Sequence, residues 1–477
     1  MNRSWNRRQF VLAGGAAATA AVTAKSWINP TSVKAATFTR MDVGNLTAAS
    51  SQITSYAKAI TAMKALPSTD PRSWSYQAAI HGTTAPCPCL TSWNTCEHGT
   101  EFFWSWHRMY LYYFEKIVRR MSGDYGWALP YWNWQLASES QLPSMFRDKT
   151  SPLYTVNRDA NMNSGSGSLP PGDVNCSFAL GDLAFTSAVE DIQNPHGNVH
   201  EDVGGWMANI QTSAQDPIFY FHHSNVDRLW DIWLAQGGGR SDPTGDATWK
   251  GKTYTFFDEN GTAVTMNDCD VLRAAQQLNY TYQNEPAQVN EYCVIRIKIP
   301  PWLLQEVIVF DWPLPGPGPV EVNSDRLSVP VELGDKIKDI QAVAASKTDK
   351  LIVVLDSVQV DTQPGVTYQV YLGLPEGDEP TTKSPYYLGT FSMFGMGIKD
   401  QGPHGSMPAT FRFPAGPAVT ALLKENRKPS LTIVPSGILI DGKPSKPKAK
   451  APLHIGAIRF SKRTEARAPI SKVQPKP

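Results

Sequence analysis

The chain has 477 residues, of which 41% are hydrophobic and 18% are charged, and its formal net charge at pH 7 is +1. This length and composition predict a soluble protein of two or three domains. The nearly balanced charge indicates neither a nucleic acid nor an acidic macromolecule as a partner, and it leaves the oligomeric state open.

Residues 1–36 resemble a twin-arginine signal peptide. Arg7 and Arg8 precede a short, alanine-rich apolar stretch, which is the order of charged start and apolar region in such leaders. A membrane span needs about 20 strongly apolar residues, so no stable membrane anchor is expected. We expect cleavage after Ala24 or after the Ala35-Ala36 pair, and a mature protein that is periplasmic or secreted.

Four segments have the apolar periodicity of helices. They lie over residues 46–66, 98–121, 196–204 and 217–233. Pro67 ends the first, Ser122-Gly123 follows the second, and Asp216 with Pro217 gives the last an N-cap and a proline in its first turn. The glycine- and serine-rich stretch 161–172 predicts a surface loop. Together they predict a small helical bundle whose facing helices bring inward-pointing side chains together.

Seven of the nine histidines fall into two clusters within aromatic-rich segments. The first cluster is His81, His98 and His107, and the second is His196, His200, His222 and His223. Sites made of imidazole alone favour copper or zinc over magnesium or calcium. Because His196 and His200 are four residues apart, both leave the same face of a helix and can bind one ion. The spacing predicts two metal sites, but it does not choose between His222 and His223.

The second half of the chain changes character. Pro300-Pro301 and the proline-rich stretch 313–319 cannot continue a helix or a central strand, and they predict a linker over residues 291–323. Beyond it, alternating β-branched segments predict an antiparallel β-sandwich over residues 324–477. The expected fold class is mainly α, with a helical bundle followed by a C-terminal antiparallel β-sandwich domain.

Motifs around the histidines resemble those of the type 3 copper proteins, namely tyrosinases, catechol oxidases and other polyphenol oxidases, and molluscan haemocyanins. The most specific are Trp106-His107-Arg108 and Leu129-Pro130-Tyr131-Trp132-Asn133-Trp134. The resemblance covers residues 37–290 and implies a tyrosinase-like domain that binds two copper ions. It assigns the ligands as His81, His98 and His107 for CuA, and His196, His200 and His223 for CuB.

His222 and Asp227 are expected to support this site from outside the ligand set. His222 is the neighbour of a ligand, and Asp227 lies one helical turn after His223, where it would accept a hydrogen bond or pair with Arg228. Tyr280-Thr281-Tyr282 resembles the tyrosine motif that closes the copper domain in this family, and Arg40 is its expected cation–π partner.

The resemblance implies copper-dependent oxidation of o-diphenols, or catechols, to o-quinones with O2 as co-substrate, which is the activity of a polyphenol oxidase. It leaves o-hydroxylation of monophenols open. A haemocyanin-like reversible O2 carrier is the alternative, but this chain has one copper unit and no internal repeat, whereas carriers in that group are large multi-unit chains. A zinc hydrolase would need a carboxylate base and an open coordination position.

Cys96 precedes His98 by two residues. In fungal tyrosinases and molluscan haemocyanins a cysteine at this position is joined to the ligand histidine by a thioether, which implies a Cys96–His98 bond here. The alternative is a disulfide between Cys96 and Cys87 or Cys89. If the thioether forms, five cysteines remain, so at least one of them must be a free thiol.

Four residues are expected to shape the substrate pocket. Ile210 stands where plant catechol oxidases carry a phenylalanine over CuA, so the pocket should be more open. Gly197 stands where many monophenol-hydroxylating members have asparagine, and Glu190 is the candidate for the base that holds a water. Glu201 would disfavour acidic phenols.

The C-terminal region resembles the β-domain of plant-type polyphenol oxidases and haemocyanins, most clearly over residues 387–391. In those proteins the domain lies over the copper site and can keep the enzyme latent as a proenzyme. Phe394 and Met396 follow this segment directly and are the candidates for a side chain that fills the pocket.

Overall fold

Ten α-helices lie within the described residues of the first part of the chain, between residues 38 and 283. The computed structural model describes residues 38–85, 92–283, 304–312, 320–323, 325–330, 337–346, 349–398, 407–425 and 430–465. The predicted leader, Cys87, Cys89, Cys293 and most of the predicted linker lie outside these residues. The helices are α1 Ser51–Lys64, α2 Trp74–His81, α3 Phe103–Ser122, α4 Ala160–Ser164, α5 Ser177–Gly181, α6 Phe185–Asp191, α7 Gln193–Val203, α8 Ile218–Ala235, α9 Ala247–Gly251 and α10 Ala274–Gln277.

Local sequence signals predict the end of α3 and the start of α8, but not the start of α1. Gly123 adopts a left-handed conformation with φ 75° and ends α3, as its position after Ser122 predicts. The Asp216 side chain accepts a hydrogen bond from the backbone N–H of Ile218 at the start of α8. In contrast, α1 begins at Ser51 rather than residue 46, because a turn joins the backbone N–H of Thr47 to the side chain of Ser50.

The expectation of a plain loop over residues 161–172 is wrong. Asp159 accepts hydrogen bonds from the backbone N–H groups of Asn161 and Met162, and this cap starts the short helix α4. Gly167–Ser168 then forms strand β2, which pairs with Leu439–Ile440 far along the chain. A strand partner so distant in sequence leaves no local signal.

Helices α3 and α8 pack against each other through aromatic rings. Trp104 and Trp230 stack with parallel planes and centroids 5.9 Å apart, and Phe114 stacks on Tyr220 at 3.5 Å. These rings are fully buried. Since α3 carries His107 and α8 carries His222 and His223, this packing fixes the distance between the two histidine clusters.

A buried ion network closes the helical region. Strand β1, Phe38–Arg40, pairs in parallel with β5, Tyr280–Tyr282. The Arg40 guanidinium lies 3.6 Å from the centroid of the Tyr280 ring, which confirms the expected cation–π contact. The carboxylate of Asp227 pairs with Arg40 at 3.0 Å and Arg108 at 2.5 Å. It also accepts hydrogen bonds from the hydroxyls of both tyrosines.

Asp227 therefore supports α8 through Arg40 and Arg108, while Arg228 lies over the ring of Tyr131 at 4.8 Å. Burial alone would raise the pKa of Asp227, but the guanidinium groups of Arg108 and Arg40 hold that pKa below its ordinary value. The carboxylate is thus ionised and shared between two buried cations.

Asp227→Ala is expected to lower the free energy of unfolding by about 3–5 kcal/mol, because two buried guanidinium groups lose their common anion. Denaturant unfolding of the apoprotein measures this difference. Glu259→Ala is the matched control, since it breaks the partly exposed Glu259–Lys116 pair and should cost no more than about 1 kcal/mol. Equal losses in the two variants would contradict the role given to the network.

The C-terminal part is built on two larger sheets. In one the strand order is β11-β10-β13-β8, and in the other it is β12-β9-β16-β6, with β7 also paired to β16. All of these pairings are antiparallel. The strands are β6 Leu304–Trp312, β7 Val320–Val322, β8 Leu327–Pro330, β9 Asp349–Val360, β10 Thr367–Leu372, β11 Tyr387–Phe391, β12 Ala409–Pro414, β13 Ser430–Ser436 and β16 Leu453–Glu465.

Side chains from both sheets share one hydrophobic core, for example Val353 of β9, Val370 of β10 and Ile433 of β13. Two helices accompany the sheets, α11 Ile337–Ala344 and α12 Gly416–Lys424. The smaller pairings are β3 Thr253–Phe257 with β4 Ala263–Asn267, and β15 Lys443–Pro444 with β14 Leu439–Ile440. Within the described ranges, no helix combines the length and apolar character needed to cross a membrane.

The C-terminal part is attached to the helical region by more than the chain connection. Strand β14 pairs with β2 of the helical region, with Leu439 opposite Ser168. Arg463 of β16 forms ion pairs with Asp182 at 3.1 Å and Asp191 at 2.9 Å, and all three side chains are buried. These contacts hold the turn after β11, residues 392–398, against the histidines.

Candidate metal centre

All seven clustered histidines are buried and converge on one interior space. His81 is the last residue of α2, His98 lies in the loop before α3, and His107 lies on α3. Helix α7 carries His196 and His200, and α8 carries His222 and His223. The side-chain nitrogens of His81, His107 and His223 include atoms that lie within 4.8 Å of one another, as do those of the four histidines of α7 and α8. The two predicted clusters therefore face each other across one centre.

Backbone carbonyls orient three of the rings. Nδ1 of His81 lies 3.1 Å from the carbonyl oxygen of Ile210, Nδ1 of His107 lies 2.7 Å from that of Phe103, and Nδ1 of His200 lies 2.8 Å from that of Met207. A carbonyl oxygen only accepts, so each Nδ1 carries the proton and donates. The lone pair of each ring is then on Nε2, which is available to a metal.

His223 and His222 contact the histidines of α7 in different ways. Nε2 of His223 lies 3.1 Å from Nε2 of His200 and 3.4 Å from Nε2 of His196. Three Nε2 atoms thus meet, as expected of three ligands around one ion. The His222 ring instead stacks on His196, with centroids 5.2 Å apart, and approaches Trp134 at 5.8 Å.

Burial keeps these rings neutral. Loss of solvation lowers the pKa of His107 and His222 to about 3. It also lowers the pKa values of His196, His200 and His223 well below the ordinary range, with neighbouring imidazoles adding to the effect. Neutral imidazole is the form that binds metals, so the donor set fits two ions of the kind that prefer nitrogen ligands.

Two aromatic residues that the sequence patterns did not single out line the centre. Phe103 lies 4.6 Å from His107 between ring centroids, and Phe219 lies 4.2 Å from His223. Each precedes its histidine by four residues on the same helix. That spacing puts them on one face, so the signal was present in the sequence.

Cys96 lies beside His98 and is buried. Among the described cysteines, Cys96 and Cys176 are free thiols, whereas Cys269 is disulfide-bonded. A disulfide of Cys96 with Cys87 or Cys89 is therefore not formed. The Cys96 sulfur and the ring nitrogens of His98 and His81 form a third group within 4.8 Å.

Phe394 lies directly over the second histidine cluster. Its ring stacks on His200 with centroids 3.7 Å apart and planes 7° apart, and it meets the rings of His196 and His98 edge-on. Phe394 packs in the core of the helical region, whereas its neighbour Met393 packs in the core of the sheets. The other plug candidate, Met396, lies against Gly99.

Of the predicted pocket residues, Gly197 lies under the C-terminal part. A Cβ on Gly197 would stand 2.8 Å from the Ser392 hydroxyl, so residue 197 faces the turn that carries Phe394. Ile210 is buried, and its carbonyl oxygen accepts from His81. Neither residue is therefore exposed in this structure.

The two predicted acidic residues have partners from the C-terminal part. Gln363 donates to the Glu201 carboxyl at 2.5 Å, and burial raises the pKa of Glu201 to about 8. The expected negative charge beside an open substrate path is thus suppressed, because the buried carboxyl favours its neutral form. Glu190 is partly exposed and forms an ion pair with Arg412 at 3.0 Å. Neither Gln363 nor Arg412 has a sequence signal for this contact.

Comparison with known proteins finds that three regions of the chain are similar to family models. The chain matches the common central domain of tyrosinase over residues 71–180 and 172–236, and the polyphenol oxidase middle domain over residues 244–292. Residues 318–426 match a domain of unknown function (DUF7868). The chain is 37% identical over 284 residues to a tyrosinase of Hahella sp., covering 48% of this chain and 59% of that protein. It spans about half the length of the first curated relatives it matches.

Solved structures share the fold. A latent apple tyrosinase superposes with a TM-score of 0.60 at 22% identity, covering 90% of this chain and 97% of that one. A functional unit of octopus haemocyanin gives a TM-score of 0.53 at 20% identity, covering 88% and 99%. These likenesses show a shared fold, and residues 71–180 and 172–236 are similar to the common central domain of tyrosinase. The resemblance to the tyrosinases and polyphenol oxidases is confirmed.

Proposed function

We propose that this protein is a polyphenol oxidase that oxidises o-diphenols to o-quinones with O2 as co-substrate. The observation that carries the proposal is the convergence of neutral, buried imidazoles within a tyrosinase central domain. Two copper ions bound there would supply the electron transfer by which two o-diphenols reduce one O2 to two waters. The chain supplies ligands, a dry cavity and an aromatic-sized slot over His200.

We assign His81, His98 and His107 to one copper ion, and His196, His200 and His223 to the other. Carbonyl contacts at Nδ1 turn Nε2 of His81, His107 and His200 toward the centre. The short distances from Nε2 of His223 to the α7 histidines support its choice over His222. His222 then positions the His196 ring by stacking on it.

The described structure is the latent form in this proposal. Phe394 fills the slot in which the ring of a phenol would stack on His200. Gly197, Glu201 and Ile210 would line the pocket once the C-terminal part moves away. Glu190 remains our candidate for the residue that holds a water, because it borders the same cleft as His98 and would lose its Arg412 partner on opening. Residues 1–36 would direct export to the periplasm or beyond.

The experiment that tests this function measures O2 uptake and quinone formation with catechol and with phenol. Both are measured before and after the C-terminal part, called the cover below, has been released from the histidines. We expect catechol oxidation in the opened protein and slower hydroxylation of phenol, since Gly197 offers no amide to hold a water. O2 binding without quinone formation would favour the carrier, a function whose fold this chain shares. Hydrolysis without O2 uptake would favour the zinc enzyme.

We also propose the Cys96–His98 thioether. Formation of one C–S bond removes two hydrogens, which O2 can accept, so the peptide that contains both residues should be lighter than its sequence mass by two hydrogen atoms. Cys96→Ser should restore the ordinary mass while two copper ions remain bound. Mass spectrometry of the digested protein checks this, and an unmodified wild-type peptide from copper-loaded protein would contradict the bond.

A further inference from the structure

A cleft of about 560 Å³ runs along the seam between the helical region and the C-terminal part. On the helical side its wall includes Cys96 and His98. On the other side it includes Met396 and Met407. The cleft is separate from the slot over His200 that Phe394 occupies, since neither of these two residues lines it.

The sulfur-containing residues that line the cleft range from exposed to fully buried. Met407 is 74% exposed, Met396 is partly buried, and Cys96 is 1% exposed beside His98, which is 8% exposed. A large apolar side chain as exposed as Met407 is uncommon in this protein, where few others stand so far into solvent within the described ranges. Because Met407 lines a cleft that also reaches His98, its exposed side chain is placed to bind a metal ion from solvent.

Backbone contacts hold these residues in order. The N–H of Gly397 donates to the carbonyl oxygen of Met407 at 3.0 Å, which holds Met407 next to Met396. The Met396 sulfur lies 3.6 Å from the position that a Cβ on Gly99 would take, directly beside His98. A positive φ of 69° at Gly397 allows the turn that makes both contacts.

The ligand atoms of the cleft favour one kind of metal ion. The thioether sulfur of methionine favours Cu(I) over magnesium, calcium or manganese. The acidic side chains of the cleft offer little to hard cations, because each has a cationic partner: Glu97 pairs with Lys252, Glu190 with Arg412 and Asp191 with Arg463. The cleft therefore has soft sulfur donors on both of its sides, together with His98 of the first histidine cluster.

We propose that this cleft is the route by which Cu(I) enters the protein. The ion binds first at Met407 and Met396 and passes to the Cys96 thiol and His98 before the proposed thioether forms, while Phe394 stays over His200. No change of oxidation state is required, because the ion exchanges sulfur ligands for imidazole. The inference rests on the proposed copper site, and it adds that the latent form can be loaded without being opened.

The test follows copper uptake by the full-length apoprotein from a weakly chelated Cu(I) solution without O2, with bound copper counted by elemental analysis. Met396→Leu/Met407→Leu removes both sulfurs at nearly constant volume and should slow uptake at least tenfold, with the same end point of two ions. Met407→Leu alone, at an exposed position that cannot disturb the core, should slow uptake about threefold. Uptake of Cu(II), which prefers nitrogen and oxygen donors, should change little.

Met266→Leu is the control, because Met266 lies on β4 outside the cleft. Uptake of Cu(I) by the double variant at the wild-type rate would overturn the route, as would equal slowing in Met266→Leu. An end point below two ions in the wild-type protein would instead overturn the two-copper site, and the route with it.

Discussion

His223→Ala is expected to reduce the bound copper from two ions per chain to one, whereas His222→Ala should retain both. Nε2 of His223 lies 3.1 Å from Nε2 of His200 and 3.4 Å from Nε2 of His196. A site left with two imidazoles loses the affinity that a third neutral donor provides. Elemental analysis of the dialysed protein measures the difference, and His107→Ala should lose one ion in the same way.

Each variant is the folding control for the other, because His222 and His223 are neighbours on α8 and are both fully buried. His222→Ala removes a ring that stacks on His196, so its copper should dissociate faster without being absent. A one-copper protein from His222→Ala and a two-copper protein from His223→Ala would reverse the assignment.

Phe394→Ala is expected to raise kcat/KM for catechol by about 10- to 100-fold in the uncleaved protein. Full burial of such a side chain stabilises the covered state by about 1.5–3 kcal/mol. Its loss removes this competitor and leaves a space the size of an aromatic ring over His200. The measurement is initial O2 uptake at low catechol concentration, with each variant at equal copper content.

Met393→Leu is the matched control for Phe394→Ala. It changes the adjacent residue, which packs into the core of the sheets and not over the histidines. Its activity should stay at the latent level. If both variants were equally active, a general loosening of the C-terminal part would explain the effect and Phe394 would not be the plug.

Cleavage in the predicted linker is a weaker test of latency. The cover is also held by the pairing of β14 with β2 and by the buried ion pairs of Arg463 with Asp182 and Asp191. These contacts do not depend on the linker, so a cut there alone is not expected to release the cover. Cleavage combined with Arg463→Ala should release it.

The histidine clusters were predictable because their spacing is local. His196 and His200 share a helix face by periodicity, and the ends of α3 and α8 follow from Gly123 and Asp216. The choice of His223 over His222 was not local, since it depends on how α8 is rotated against α7. That rotation is set by tertiary packing, which spacing along one helix does not encode.

The C-terminal part was predictable as a domain from the sequence, but its contacts with the helical region were not. Whether Phe394 or Met396 reaches the histidines depends on the tight turn at Gly395 and Gly397, both with positive φ, which sends adjacent side chains in different directions. The burial of Glu201 depends on Gln363, more than 150 positions away in the chain. Such contacts need the assembled fold, because no pattern within either segment specifies the other.

Phenol oxidation by this protein is expected to require two copper ions held by these imidazoles. The test is a copper titration of apo Phe394→Ala protein, with catechol-dependent O2 uptake measured at each point. Activity should rise to a plateau at two copper ions per chain and be absent when zinc replaces copper. A plateau at one ion, or full activity with zinc, would contradict this expectation.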